Sequence, residues 1–133
     1  MASTHVAHDC LVGDNVIMSN LATLGGHVQI GNWAILGGGV LVHQFTQIGE
    51  HVLIGGGFRA VQDVPPFIIA ANHPLEYKGV NIVGLKRRGF SKEEIDSIKK
   101  AYKGFFRSGE NRKTAIEKIK LEFPETKVIQ KIL

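Results

Sequence analysis

The chain has 133 residues, 44% of them hydrophobic, and a formal net charge of +4. This length suits one small unit or two subdomains, and no stretch reads as a transmembrane segment or a signal peptide. A single cysteine, Cys10, excludes an internal disulfide and fits a reducing compartment, while the positive excess gathers at Lys86-Arg87-Arg88 and in the C-terminal half, as a solvated surface or as a site for an anionic ligand or acidic partner.

A six-residue beat opens the chain. Val6, Val12, Met18, Leu24, Ile30, Leu36, Val42, Ile48 and Ile54 are aliphatic and six apart, and Gly often follows, as at Gly13, Gly25, Gly31, Gly37, Gly49 and Gly55. Small or apolar residues recur four positions after each aliphatic, from Cys10 to Phe58. Neither a helix nor an ordinary strand has this period, so the segment is a repeat array. One inward aliphatic per short strand suits a triangular parallel β-helix, with three hexapeptides per coil and coils about 4.8 Å apart. Gly, Asn and Asp are expected to supply the unusual angles of the corners. Residues 1–60 thus form about three coils, close to the minimum for a stacked array. Too few residues precede Val6 to cap an open coil, so the chain is expected to be the C-terminal portion of a longer protein, the alternative being a short protein capped by a partner chain.

Residues 61–90 break the beat and read as an extended, turn-rich segment. Val64-Pro65-Pro66-Phe67 leaves the last coil, and His73-Pro74 and Gly79 mark turns. Residues 91–133 read as a helical subdomain packed beside the coils. Ser91-Lys92-Glu93-Glu94 is a capping box, followed by Ile95, Ile98, Ala101, Tyr102, Phe105 and Phe106 at helical spacing. A second helix is expected over 112–123 and a third, short one after Pro124.

The 18-residue coil turns sequence into position. Ala7, Gly25 and His43 share one column, His8, Gly26 and Gln44 the next, and Asp9, His27 and Phe45 the third. His8, His27, His43 and Gln44 therefore meet at one edge, within roughly 10 Å along the axis. A neutral imidazole there suits general-base chemistry, taking a proton from a sugar hydroxyl as it attacks a thioester. Gly26, stacked on His8, offers a backbone N–H to the developing oxyanion. Asp9 can fix the His8 tautomer if a corner bends the chain between them. Metal binding is the rival for such a cluster. The zinc carbonic anhydrases of this fold class are marked by two histidines five apart, but position 48 is Ile, and His51 falls in an outward, surface phase.

His5-Val6-Ala7-His8-Asp9-Cys10, Ala22-Thr23-Leu24-Gly25-Gly26-His27-Val28, Val42-His43-Gln44-Phe45, Gln62-Asp63-Val64-Pro65-Pro66 and the run Gly79 to Phe90 (GVNIVGLKRRGF) resemble the acyl-carrier-protein:UDP-N-acetylglucosamine O-acyltransferases of lipid A biosynthesis. The resemblance covers nearly the whole chain and follows the order of that family's C-terminal half. It implies a left-handed coil, and transfer of an (R)-3-hydroxyacyl group from acyl carrier protein to the sugar 3-hydroxyl. It also implies a cytoplasmic homotrimer with sites between subunits, and no cofactor, metal or nucleic-acid partner. Carried over by motif, His8 resembles the general base, Asp9 its partner and Gly26 the oxyanion donor. His27, His43 and Gln44 resemble substrate contacts, and Asn81, Arg87 and Arg88 the nucleotide-diphosphate contacts. Gly56 resembles the position that limits acyl-chain length, while His5 and His73 match histidines near the cleft. The family often has Glu where this chain has Val83, and it carries further coils upstream with an acidic residue and a lysine at the cleft. The alternatives are a non-catalytic trimeric scaffold, which has no need of three histidines on one edge, and a related N-acyl- or acetyltransferase, which a donor comparison would separate.

Overall fold

The computed structural model describes residues 1–107, with side chains as far as Lys103. The helices expected over 112–123 and after Pro124 lie outside the described residues. The described chain forms two compact units that divide between Asn81 and Ile82.

The first unit follows the beat. Ten two-residue strands run β1 (His5–Val6), β2 (Leu11–Val12), β3 (Ile17–Met18), β4 (Thr23–Leu24), β5 (Gln29–Ile30), β6 (Ile35–Leu36), β7 (Leu41–Val42), β8 (Gln47–Ile48), β9 (Leu53–Ile54) and β10 (Arg59–Ala60). From β1 to β7, each pairs in parallel with the strand three further on, 18 residues away: His5 with Thr23, Thr23 with Leu41, Leu41 with Arg59. The result is three sheets, β1-β4-β7-β10, β2-β5-β8, and β3-β6-β9 continuing into two later strands. Leu24, Ile30, Leu36, Val42, Ile48 and Ile54 are buried between them, alongside Ala22, Val28, Ala34, Val40, Thr46 and Val52. Each fully buried large aliphatic contributes about 1.5–3 kcal/mol. Val6 and Val12, the same positions in the first coil, are exposed.

The corners correct one expectation. The left-handed backbone conformation recurs at every sixth residue from Ser3 to Gly57, through Asp9, Asn15, Leu21, His27, Trp33, Gly39, Phe45 and His51, with φ between 56° and 79°. Most of these are neither Gly nor Asn, so tertiary stacking overrides local preference here. The glycines that follow the aliphatics have a different task, close approach. A Cβ on Gly31 would lie 2.5 Å from Glu50 N, and one on Gly25 2.7 Å from Gln44 N.

The stack also runs further than the beat. After β10 the offset between coils shortens from 18 to 16 residues, so Val64 bridges Ile48, and β11 (Ile68–Ala71) pairs with β9, Ile69 opposite Leu53. That two-residue contraction hides a fourth, irregular turn from a search at period six. Asp63 fills the gap: its Oδ1 accepts from Gln47 N at 2.8 Å, where a regular coil would offer a carbonyl. β12 (Glu76–Val80) then returns antiparallel to β11 and closes the edge of that sheet.

In the second unit, the motif read as extended contains a short helix, α1 (Ile82–Arg87). Its stop is Gly89, at φ 85°, with Gly89 N donating to Lys86 O and Phe90 N to Leu85 O. α2 (Lys92–Arg107) begins at the expected capping box: Glu94 N donates to Ser91 Oγ and Ser91 N to Glu94 Oε1, both at 3.0 Å. Ile95, Ile98, Ala101 and Tyr102 are its buried face.

Candidate functional site

The corner joining the β1-β4-β7-β10 sheet to the β2-β5-β8 sheet gathers the polar residues. Its left-handed column is Asp9, His27 and Phe45, at φ 59°, 57° and 64°. The bend at Asp9 brings its carboxylate beside the preceding residue, and His8 Nδ1 lies 3.2 Å from Asp9 Oδ2. A carboxylate only accepts, so this contact holds the proton on Nδ1 and leaves Nε2 as a free acceptor. The next coil is pinned beneath by His27 N donating to His8 O at 3.0 Å. The His27 ring stands edge-on to His8 with centroids 5.2 Å apart, and its Nε2 is 3.7 Å from Asp9 Oδ2. Phe45, one coil further, stacks on His27 at 4.8 Å and 7°.

Gly26 sits against the imidazole. A Cβ there would lie 2.8 Å from His8 Cε1 and 2.9 Å from Nε2, so only glycine leaves the ring in place. The N–H groups on either side are committed, Gly25 to Val42 O and His27 to His8 O, whereas among the described residues none accepts from Gly26 N–H. An unpaired donor therefore stands next to a free imidazole nitrogen.

His43 and Gln44 belong to the same corner one coil on. His43 Nδ1 donates to Gln44 O at 3.1 Å, which again leaves Nε2 as the acceptor. They line an open groove of about 340 Å³ with Thr23, Gly25, Gly26, Leu41, Arg59 and Val61. His5 is exposed on β1, in register with Thr23. Arg59 escaped the sequence reading. It ends the column His5, Thr23, Leu41, Arg59, so the same arithmetic that united the histidines could have found it.

Two expected residues stand elsewhere. Gly56 lies at the corner leading back from β9 to β10, exposed, and a Cβ there would meet Gly38 O at 3.2 Å. His73 packs edge-on against Phe58 of that corner, with centroids 5.0 Å apart. One chain therefore does not bring Gly56 and His73 to the His8 edge. Asn81 is buried, and its Nδ2 donates to His51 O at 3.0 Å. His51, expected at the surface, is only 6% exposed and stacks between Trp33 and Phe67 at 6.4 and 5.8 Å. The left-handed corner and the hidden fourth turn, which supplies Phe67, bury it.

In the second unit, Lys86 and Arg87 are exposed in the last turn of α1 and Arg88 is half-buried. Burial lowers the Arg88 pKa from the ordinary guanidinium value, and the charge of Arg87 adds to the effect. Arg87 and Arg88 are two adjacent cations suited to an anion. Val83 is exposed beside them in the chain.

Residues 63–133 match the family described as UDP-N-acetylglucosamine O-acyltransferase, domain 2. An acyl-[acyl-carrier-protein]–UDP-N-acetylglucosamine O-acyltransferase from Aliivibrio salmonicida is 49% identical over 131 residues, 98% of this chain and 50% of the relative. Its counterpart from Burkholderia orbicola is 46% identical over 94% of this chain and 46% of its own length. Among solved structures, the UDP-N-acetylglucosamine acyltransferase of Bacteroides fragilis superposes with a TM-score of 0.95 at 43% identity, covering 98% of this chain and 51% of that one. The chain thus spans about half the length of the relatives it matches. Its coil stack is a left-handed parallel β-helix, as the resemblance implied. On this match and this fold, the chain belongs to the UDP-N-acetylglucosamine O-acyltransferase family.

Proposed function

We propose that this chain carries the reacting edge of an enzyme that moves an (R)-3-hydroxyacyl group from acyl carrier protein to the 3-hydroxyl of UDP-N-acetylglucosamine, the first step of lipid A biosynthesis. The observation that carries the reading is His8, tethered through Nδ1 to Asp9 with Nε2 free beside the unpaired Gly26 N–H. His8 Nε2 takes the proton of the sugar hydroxyl as its oxygen attacks the thioester carbonyl. The carbonyl oxygen becomes negative and receives the Gly26 N–H. Collapse of the tetrahedral intermediate forms the ester and breaks the C–S bond, and the departing thiolate takes the proton from the His8 imidazolium. Asp9 holds the ring and offsets its transient charge. His27, His43 and Gln44 contact the substrates, and Arg59 joins them from the groove.

Arg87 and Arg88 hold the diphosphate through their planar forks. Val83 in place of the family's common Glu gives the nucleoside an apolar neighbour. Gly56 leaves room for the acyl chain, with His73 beside it, and His5 flanks the cleft. Gly56 and His73 stand at a different corner of the triangular stack from His8, so a shared site requires neighbouring copies, and a homotrimer supplies them. Cys10, a thiol whose Sγ donates to Gly25 O at 3.1 Å, suits the reducing cytoplasm. The test is turnover of a 3-hydroxyacyl-carrier protein with UDP-N-acetylglucosamine, wild type against His8→Ala. Transfer is expected only in the wild type, with acyl carrier protein favoured over coenzyme A as donor. A folded sample that binds neither substrate would favour the scaffold alternative.

A further inference from the structure

The His8–Asp9–His27 corner has a second chemical capacity. Asp9 Oδ2 lies 3.2 Å from His8 Nδ1 and 3.7 Å from His27 Nε2, and one ligand atom from each residue falls within 4.8 Å of the others. Tetrahedral ligands at ordinary Zn–N and Zn–O lengths stand about 3.3 Å apart. Two of the three edges are already near that value. Two imidazoles and one carboxylate suit Zn²⁺ and similar transition ions rather than Mg²⁺ or Ca²⁺, which prefer all-oxygen sets. The arrangement is also held in advance. His27 is stacked on Phe45, the two coils are tied by the His27 N to His8 O bond, and Asp9 and His27 both occupy the left-handed corner column. The three side chains are 44–74% exposed, so an ion can reach them and keep water in its fourth position.

We infer that His8, Asp9 and His27 form a binding site for a Zn²⁺-class ion, and that the ion is an inhibitor and not a cofactor. A neutral imidazole carries one N–H. An ion on His8 Nδ1 displaces the proton that Asp9 holds there, and the remaining N–H must sit on Nε2. The nitrogen facing Gly26 then becomes a donor and can no longer accept a hydroxyl proton. Asp9 is at the same time occupied as a ligand. This inhibitory consequence rests on His8 as the base. The binding site itself does not.

Co²⁺ is the probe, because its visible absorption reports tetrahedral coordination directly. Metal-free protein is expected to bind one Co²⁺ per chain with a tetrahedral spectrum, displaced by Zn²⁺. His8→Ala, Asp9→Asn and His27→Asn should each weaken binding by about tenfold or more. Asn is chosen at the two corner positions because it tolerates positive φ. His73→Ala, at another corner, should bind as the wild type does. Absence of a tetrahedral spectrum, or equal weakening by His73→Ala, overturns the site. In turnover assays Zn²⁺ should abolish transfer and a chelator should restore it, and His27→Asn should raise the half-inhibiting Zn²⁺ concentration by about the factor lost in Co²⁺ affinity. Unimpaired turnover in protein shown to be loaded overturns the inhibitory role. If the protein transfers no acyl group at all, the acyltransferase reading fails and the cobalt result still decides the site.

Discussion

Two contacts set the chemistry of His8: Asp9 fixes which nitrogen is free, and Gly26 fixes where that nitrogen stands. Replacing His8 with Ala is expected to lower transfer by about 10²–10⁴-fold. Steady-state turnover checks this, and retention of more than a few percent would remove His8 as the base. Gly26→Ala keeps the backbone donor but drives a Cβ into the imidazole, so a loss of about 100-fold in kcat is expected in a protein that still folds. An unchanged kcat would mean that the ring position is unimportant. Most of this corner was legible beforehand. Residues 18 apart had to stack, so His8, Gly26 and His27 met on paper as they do in space. Asp9 was harder, because neighbouring residues of a strand diverge and only a left-handed bend unites them. His51, read as a surface residue, differs for a related reason: its burial depends on Phe67 and a turn that the six-residue pattern does not announce.

Along the coils, glycine prevents collision more often than it supplies unusual backbone angles. Gly31→Ala should cost about 1–3 kcal/mol, because its Cβ meets the backbone at Glu50 and nothing flexible can yield. Gly38→Ala, whose Cβ finds only Asn20 O at 3.4 Å, should stay within about 0.5 kcal/mol. Chemical denaturation of the pair separates close packing from backbone freedom, and equal costs would refute the distinction. In the second unit, Ser91→Ala removes one half of a reciprocal cap and should destabilise α2 by about 1 kcal/mol. That cap was visible in the sequence because its four residues are contiguous. α1 was not: Ile82, Val83 and Gly84 favour helix poorly, and only the stop at Gly89 and the buried Leu85 mark the helix.

Across the whole molecule, the division of Gly56 and His73 from the His8 edge makes assembly testable. His8→Ala and Gly56→Trp should each be inactive alone, the first lacking the base and the second with its acyl space filled. Mixed 1:1 under conditions that allow subunits to exchange, they should regain about one quarter of wild-type activity, because about that fraction of intersubunit sites would draw both halves intact. No recovery in a mixture shown to exchange would place each site within a single chain. The register of the stack has a further consequence, for how such a chain can change its length. Losing one amino acid inside a strand turns every later side chain toward the wrong face, core to water and water to core. Removing a complete circuit leaves all faces aligned, and a contraction is tolerated only where a side chain such as Asp63 stands in for the missing backbone. Viable deletions should therefore arrive in whole windings, with rare exceptions at bends that a polar residue can patch.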